Sequence, residues 1–345
     1  MSLPDEGPLL VVDDVSVVYR GRGPRAADVR AVDGASLSLD VREAVGLVGE
    51  SGCGKSTLAR TIVRLQEPDR GAIRFGGVDI AHVPRRRLRR LRRGLALVFQ
   101  DPSTSFNPRI TIEGSLLEAL QATHGRAGTG GTQRIVELLD LVGLGEEVAA
   151  RYPHQLSGGQ LQRVSIARAL ACEPRIVVLD EPVSALDVSV QAQLLEVLAR
   201  LRAGTEAAFL LIAHDLAVVR QVCDRVLVMY LGRIVEEGLT REVFAAPHHP
   251  YTQALLSAVP VADPSQRGSK DRIRLPGELP DPSAVPPGCP FHPRCWRASE
   301  RCREEAPQLL PIGPRRVACH HPLAVDDLPA PPDATDKDRS PARVR

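Results

Sequence analysis

The sequence predicts an α/β fold, a sheet layered with helices, with a helical insertion and a small cysteine-rich C-terminal segment. Three observations predict it. Short apolar runs rich in β-branched residues alternate with helix-length amphipathic stretches. The alternation is interrupted once, over about 103–172, by a block that reads almost entirely helical. After Val259 the composition changes: residues 260–293 are rich in Pro, Gly and Ser, and four of the seven cysteines follow within 31 residues.

In chain order, 9–19 and 35–48 read as strands, and a glycine-rich turn leads into a helix from Lys55 to about Leu65 that Pro68 ends. Residues 72–80 read as a short strand and 84–94 as a basic run, followed by a strand at 95–99. Residues 109–150 read as mostly helical around a Gly-rich loop at 125–131. A helix opens at Ser157 and runs through Ala171, stopped by Pro174. Strand 175–179, helix 188–202, strand 207–213, helix 216–221 and strand 225–230 complete the alternation. No internal repeat is visible. The Asp/Pro/Ala-rich residues 323–345 read as a disordered tail.

Composition excludes several classes. Of the 345 residues, 43% are hydrophobic and 25% charged, enough for a core and too apolar for a mostly disordered chain. No apolar run reaches the ~18 residues that a membrane span needs. The acidic start, with Asp5 and Glu6, reads as no signal peptide, so the expectation is a cytosolic chain. A net charge of +2 gives no global electrostatic argument for nucleic acid. The run Arg85–Arg93 holds seven arginines in nine residues. It reads as a solvated helix face, with a membrane-surface or nucleic-acid contact as the alternative.

Gly49-Glu50-Ser51-Gly52-Cys53-Gly54-Lys55-Ser56 fits G-x-x-x-x-G-K-[ST] between a strand and a helix. Such a loop folds backbone N–H groups around phosphate oxygens at a helix N-terminus. Lys55 would reach the β/γ-phosphates, and the Ser56 hydroxyl would ligate Mg²⁺, with Thr57 next in the helix. The apolar run 175–179 ends in Asp180 and Glu181. Asp180 can hold Mg²⁺ through water, and Glu181 is placed to polarise an attacking water. Tyr19, ending the first strand, reads either as a stacking platform for an adenine ring or as a strand-end core residue. Leu156-Ser157-Gly158-Gly159-Gln160 opens a helix capped by Ser157. It is either an ordinary helix start or a second anion site. One P-loop with two phosphate cradles suggests that the second serves another subunit's nucleotide.

The set GESGCGKST, Gln100, LSGGQ, VVLDEP, SALD (184–187) and His214, in this order over about 9–240, resembles the ATP-binding subunit of ABC transporters. The resemblance implies a P-loop ATPase core with an inserted helical subdomain. It implies a head-to-tail dimer with two ATPs, each between one subunit's P-loop and the other's LSGGQ. Gln100 would sense Mg²⁺ and the water, Asp187 would reach across the dimer, and His214 would contact the γ-phosphate. In one departure, Arg42-Glu43 stands in a turn where many relatives have Gly-Glu.

A narrower resemblance, to the oligopeptide/dipeptide importer branch, rests on VGESGCGKSTLAR, LVFQDPSTSFNPR, YPHQLSGGQLQR, DEPVSALDVSVQAQ, PHHPYTQALLSAVP and GCPFHPRCWRASERC. It covers the chain to about residue 322. It implies an ATPase of a peptide importer, with nickel or another small solute as the alternative cargo and a soluble ABC ATPase as the competing class. The implied partners are two membrane permeases, a second ATPase subunit (a copy or a relative) and an extracytoplasmic solute-binding protein. The implied place is the cytoplasmic face of the plasma membrane. The expected domains are 9–259 for the ATPase, 260–322 for a small cysteine-rich domain, and the tail.

Cys289, Cys295, Cys302 and Cys319 can satisfy an iron–sulfur cluster or tetrahedral zinc equally well by donor type. The importer resemblance implies [4Fe–4S], with a structural role. His292, His320 and His321 stand nearby as substitute ligands.

Overall fold

The computed structural model describes residues 7–21, 27–124, 131–184, 186–259 and 272–324. The expected disordered tail lies outside the described residues from 325 onward, as does most of the Gly-rich loop at 125–131. The tail does not begin at residue 323. Leu323 is buried, donates to His248 O at 2.8 Å, and offers its carbonyl to His248 Nδ1 at 2.8 Å.

Strand β1 (Leu10–Tyr19) pairs antiparallel with β2 (Val29–Leu39). The expected single strand over 35–48 is two: β2, then β3 (Ala44–Val48), separated by a turn. Glu43 closes that turn, its carboxylate accepting from Asp40 N–H at 2.9 Å. Arg42 sits there at φ 62, in the left-handed region, which explains why glycine suits this turn. The two strands belong to different sheets.

Helix α1 (Lys55–Ile62) follows, then β4 (Arg70–Phe75) and β5 (Val78–Asp79). These last two form a hairpin across Gly76-Gly77, both at positive φ, rather than the one strand expected. Helix α2 (Arg85–Leu91) carries the arginine run, with Leu88 buried. The solvated-face expectation holds only in part, because Arg89, Arg92 and Arg93 line a cleft of about 920 Å³ with Phe99, Glu118 and Arg168.

After β6 (Leu95–Val98), α3 (Ile112–His124), α4 (Gly131–Leu141) and α5 (Gly158–Leu170) form the helical insertion. Leu116, Leu139 and Val164 are buried in it. Then come β7 (Ile176–Asp180), α6 (Val188–Gly204), β8 (Ala208–Ala213), α7 (Leu216–Val222) and β9 (Arg225–Tyr230). Strands β3, β7 and β8 are buried throughout. Covered on both faces, they read as continuous apolar runs and pair in parallel. Alternate residues feed two cores. Val177, Leu179, Phe209 and Leu211 face one, and Ile176, Val178, Leu210 and Ile212 the other.

The last third differs from expectation. Strand β10 (Arg233–Leu239), α8 (Thr240–Ala245), α9 (Pro250–Ser257), α10 (Glu300–Glu304), β11 (Leu310–Ile312) and β12 (Arg315–Val317) were not legible. Strand β12 pairs with β10, extending the main sheet to the order β11-β12-β10-β9-β3-β8-β7-β6. Cys289, Phe291 and Cys302 join the same apolar core as Val177 and Phe209. The compositional break after Val259 is thus not a break in the core, and the cysteine-bearing segment is built onto the sheet rather than beside it. Among the described residues no helix is long and apolar enough to cross a membrane.

Candidate functional site

Strands β3, β8, β7 and β6 are parallel neighbours, so their carboxyl ends lie side by side. In open α/β sheets that edge is where ligands bind. Each of the four strands delivers one group there: β3 the glycine loop, β8 His214, β7 Asp180 and Glu181, and β6 Gln100.

The loop is held by its glycines. Gly52 and Gly54 lie at φ 81 and 108, and a Cβ on Gly54 would stand 2.0 Å from Ala31 O. Only a residue without a side chain fits, and the chain can then turn into α1 with its first N–H groups free. Lys55 is buried under the loop and donates to Gly49 O at 2.8 Å and Glu50 O at 3.0 Å. Burial pushes the Cys53 thiol up, so it stays protonated and inert beneath the loop.

Ser56 Oγ donates to Asp180 Oδ1 at 2.8 Å. Burial raises the Asp180 carboxyl above the ordinary range, and the Ser56 bond opposes that shift. Two adjacent hard oxygen donors of this kind fit a magnesium ion that brings phosphate and water as its other ligands. Glu181 sits at φ 47, a strained conformation for a side-chain-bearing residue, with its N–H donated to Ile212 O at 3.0 Å. Its carboxylate accepts from Gln100 Nε2 at 2.9 Å, with His214 Nδ1 at 3.7 Å and Lys55 Nζ at 4.0 Å. Tyr19 is partly exposed beside the start of α1, its hydroxyl 3.5 Å from Thr57 Oγ1.

The LSGGQ segment is elsewhere. Ser157 Oγ accepts from Gln160 N–H at 3.2 Å, and Gln160 Oε1 accepts from Ser157 N–H at 3.1 Å, a reciprocal cap. Gly158 and Gly159 lie against Leu186 and Val190 of the SALD region. Asp187 is exposed at the start of α6 and makes no capping bond. Among the described residues no hydrogen bond or ion pair joins 157–160 to 49–57.

The four C-terminal cysteines line one small cavity with His292, His320 and His321. Burial pushes the Cys289 thiol up to about 11 and the Cys319 thiol up to about 12, and raises Cys295. Backbone N–H groups point at two of the sulfurs, Arg297 N–H at Cys295 and His321 N–H at Cys319, which favours thiolate. Among the described residues no three His, Cys, Asp or Glu side chains are arranged to hold a single metal ion. The histidines are engaged otherwise: His321 Nε2 lies 2.7 Å from Ser299 Oγ, and His320 Nε2 lies 3.0 Å from Glu305 O.

Sequence reasoning missed three residues. Arg294 binds the Glu50 carboxylate through Nη1 at 2.6 Å and Nη2 at 3.1 Å, and the Tyr251 hydroxyl accepts from Glu50 N–H at 2.8 Å. Glu50 is a variable position of the loop motif, and Arg294 lies 244 residues away, so no local pattern links them.

A phosphate loop over a helix N-terminus, facing a carboxylate pair at the end of a neighbouring parallel strand, defines a P-loop nucleotide hydrolase. Comparison with known proteins narrows this. Residues 32–184 match the family model described as ABC transporter, and 235–302 that described as oligopeptide/dipeptide transporter, C-terminal region. The di/tripeptide transport ATP-binding protein DppF of Pseudomonas aeruginosa is 45% identical over 88% of this chain and 94% of its own length. The oligopeptide transport ATP-binding protein AppF of Bacillus subtilis is 47% identical over 86% and 91%. Among solved structures, the ATP-binding cassette MJ0796, a dimer in a post-hydrolysis state with ADP and Pi, superposes with a TM-score of 0.61 at 28% identity. It covers 67% of this chain and 99% of its own. The chain belongs to the ABC transporter family, in the branch of oligopeptide/dipeptide-type ATP-binding subunits. It is an ATPase of that family.

Proposed function

We infer that this chain energises a membrane importer of oligopeptides or dipeptides by ATP hydrolysis. The observation that carries the reading is the convergence of Ser56, Asp180, Gln100 and His214 on one edge around Glu181 and Lys55, while Ser157–Gln160 and Asp187 stand apart from the same chain's loop. One half of a nucleotide site is assembled, and the other half points to a second subunit. The relatives' names supply the peptide cargo.

In this reading Gly49, Ser51, Gly52, Cys53, Gly54, Lys55, Ser56 and Thr57 bind the phosphates, and Tyr19 stacks on the adenine. Ser56, Asp180 and Gln100 would hold Mg²⁺, which when bound would supply charge neutralisation at the phosphates. Glu181 takes the proton of the attacking water, Gln100 and His214 orient it, and Lys55 leaves its two loop carbonyls for the γ-phosphate. Ser157, Gly158, Gly159, Gln160 and Asp187 complete the partner's site. ATP bound from both sides stabilises the closed dimer, and loss of the γ-phosphate contacts releases it.

The loop that follows Gln100 faces the permeases, placing the chain peripherally at the cytoplasmic face of the membrane. The partners are two permeases, a second ATPase subunit and a solute-binding protein. Residues 9–259 form the nucleotide-binding unit, and 260–322 the cysteine segment. The cysteine set supplies the four soft donors that a [4Fe–4S] cluster takes, with zinc as the alternative, and the four line one cavity. Its role is to staple a segment with little regular structure.

The test is capture of the full chain from native membranes in mild detergent, followed by ATPase assay of the complex in proteoliposomes. Two polytopic permeases and peptide-stimulated hydrolysis are expected. Stimulation by nickel instead of peptide would overturn the cargo, and a protein without membrane partners would overturn the importer.

A further inference from the structure

Glu50 is held by three side chains. Its carbonyl accepts from Lys55 Nζ, its N–H is donated to the Tyr251 hydroxyl, and its carboxylate is gripped by both ends of the Arg294 guanidinium. Two of the three come from beyond the last parallel strand. Tyr251, on α9, is fully buried and packs edge-on to Tyr230 at 4.7 Å and against Phe291 at 5.4 Å. Arg294 is almost fully buried, three residues after Phe291, and its Nε donates to Pro276 O at 3.3 Å. A guanidinium fork fixed at its own base and meeting a carboxylate with two bonds specifies both position and orientation.

We propose that Arg294 is a positioning residue for nucleotide binding, acting through Glu50 to fix the phosphate loop and to cancel the one acidic side chain in it. The proposal rests on the assignment of residues 49–57 as the phosphate site. Two physical effects combine. When nucleotide draws Lys55 onto the phosphates, the Glu50 carbonyl keeps only the Cys53 N–H of its own turn at 3.3 Å, and Tyr251 and Arg294 are the side chains from outside the loop that hold Glu50 in place. A bare Glu50 carboxylate would also repel the incoming polyphosphate. Paired with the almost fully buried Arg294 guanidinium, it presents no net charge.

The test is a double-mutant cycle on the full-length chain, reading the Kd for MgATP with a fluorescent analogue under non-turnover conditions. Arg294→Met should weaken binding about 10-fold, because it both frees the loop and uncovers the charge. Glu50→Gln should weaken it about 3-fold, and the double variant should bind no worse than Glu50→Gln alone. Arg294→Lys, which keeps the charge and loses the fork, should fall between wild type and Arg294→Met. In the assembled transporter, KM for ATP should rise with kcat at saturation within about twofold, since Glu181, Gln100 and His214 are untouched.

A merely structural role would not be rescued by removing the Glu50 charge. Additive single effects, or Arg294→Met binding within about twofold of wild type, would overturn the proposal. Should Arg294→Met not fold, the partly exposed Glu50→Gln reads the same pair from the loop side, and unchanged affinity there is equally fatal. Wild type that binds MgATP, sensitive to Lys55→Ala, but does not hydrolyse it would defeat the ATPase reading while the cycle still decides the clamp. Wild type that binds no nucleotide defeats both.

Discussion

At the phosphate loop the polar side chains already have partners within the chain: Ser56 bonds Asp180, Gln100 bonds Glu181, and Lys55 donates to two carbonyls. In the cysteine segment four cysteines share a cavity, and burial pushes the Cys289 thiol up to about 11 and the Cys319 thiol up to about 12. The two regions touch at Glu50 and Arg294. The nucleotide site is pre-organised because its groups ride on adjacent parallel strands whose spacing the hydrogen-bond ladder fixes. The cysteines ride on loops, a three-residue 3₁₀ turn and a five-residue helix, so no strand ladder fixes their spacing. A pre-organised site suits fast chemistry on a ligand that comes and goes.

The strongest way to break this comparison is Glu181→Gln. It should cut hydrolysis by more than about 10²-fold while MgATP binding is kept, measured by phosphate release and nucleotide Kd. Turnover near wild type would remove Glu181 as the base. Cys302→Ser acts on the other region. It should abolish bound iron and acid-labile sulfide in anaerobically purified protein, yet leave the nucleotide Kd within about threefold. Iron content equal to wild type would sink the cluster assignment.

Gly54→Ala probes the backbone on which pre-organisation rests. The new Cβ meets Ala31 O and φ 108 disfavours it, so denaturant unfolding should show a loss of about 3 kcal/mol together with weakened nucleotide binding.

His249, where the two regions join, gives a pH signature. Burial lowers its pKa to about 3, against about 6.5 when unfolded. Between those values the unfolded chain binds the extra proton. Its contribution to stability is therefore present above about 6.5 and lost as pH falls towards 3, at up to roughly 1.4 kcal/mol per pH unit. His249→Asn keeps an acceptor for Tyr251 N–H and should flatten that slope. Glu236, which accepts the His248 and His249 N–H groups and whose carboxyl burial raises, contributes with opposite sign and is common to both proteins. An unchanged slope would show that His249 does not titrate as its burial implies. The smallest effect is Arg42→Gly, which should stabilise by roughly 0.5–1 kcal/mol by relieving the left-handed backbone, read as a shift in unfolding midpoint.

By itself the sequence determined the chemistry-bearing half of the protein. Gly54-Lys55-Ser56, Asp180-Glu181 and Ser157-Gln160 are legible because phosphate binding, metal holding and helix capping each require particular residue types at fixed short spacings. The central strands are legible because burial on both faces removes every polar residue from them. The turn at Arg42 and the Gly76-Gly77 hairpin were read through as continuous strand, since apolar alternation persists across both. Strands β10 to β12 were missed because they are short or carry charges. Glu236, Glu237 and Arg315 sit within them and are satisfied by partners outside their own strands, Glu237 by Arg225 and Arg315 by Ala246 O. Only the tertiary structure decided that four strand ends deliver Lys55, His214, Glu181 and Gln100 to one edge, because strand order is set by which faces must be covered. Only it decided that Arg294, 244 residues away, grips the phosphate loop, because a contact that exists through packing leaves no period in the sequence.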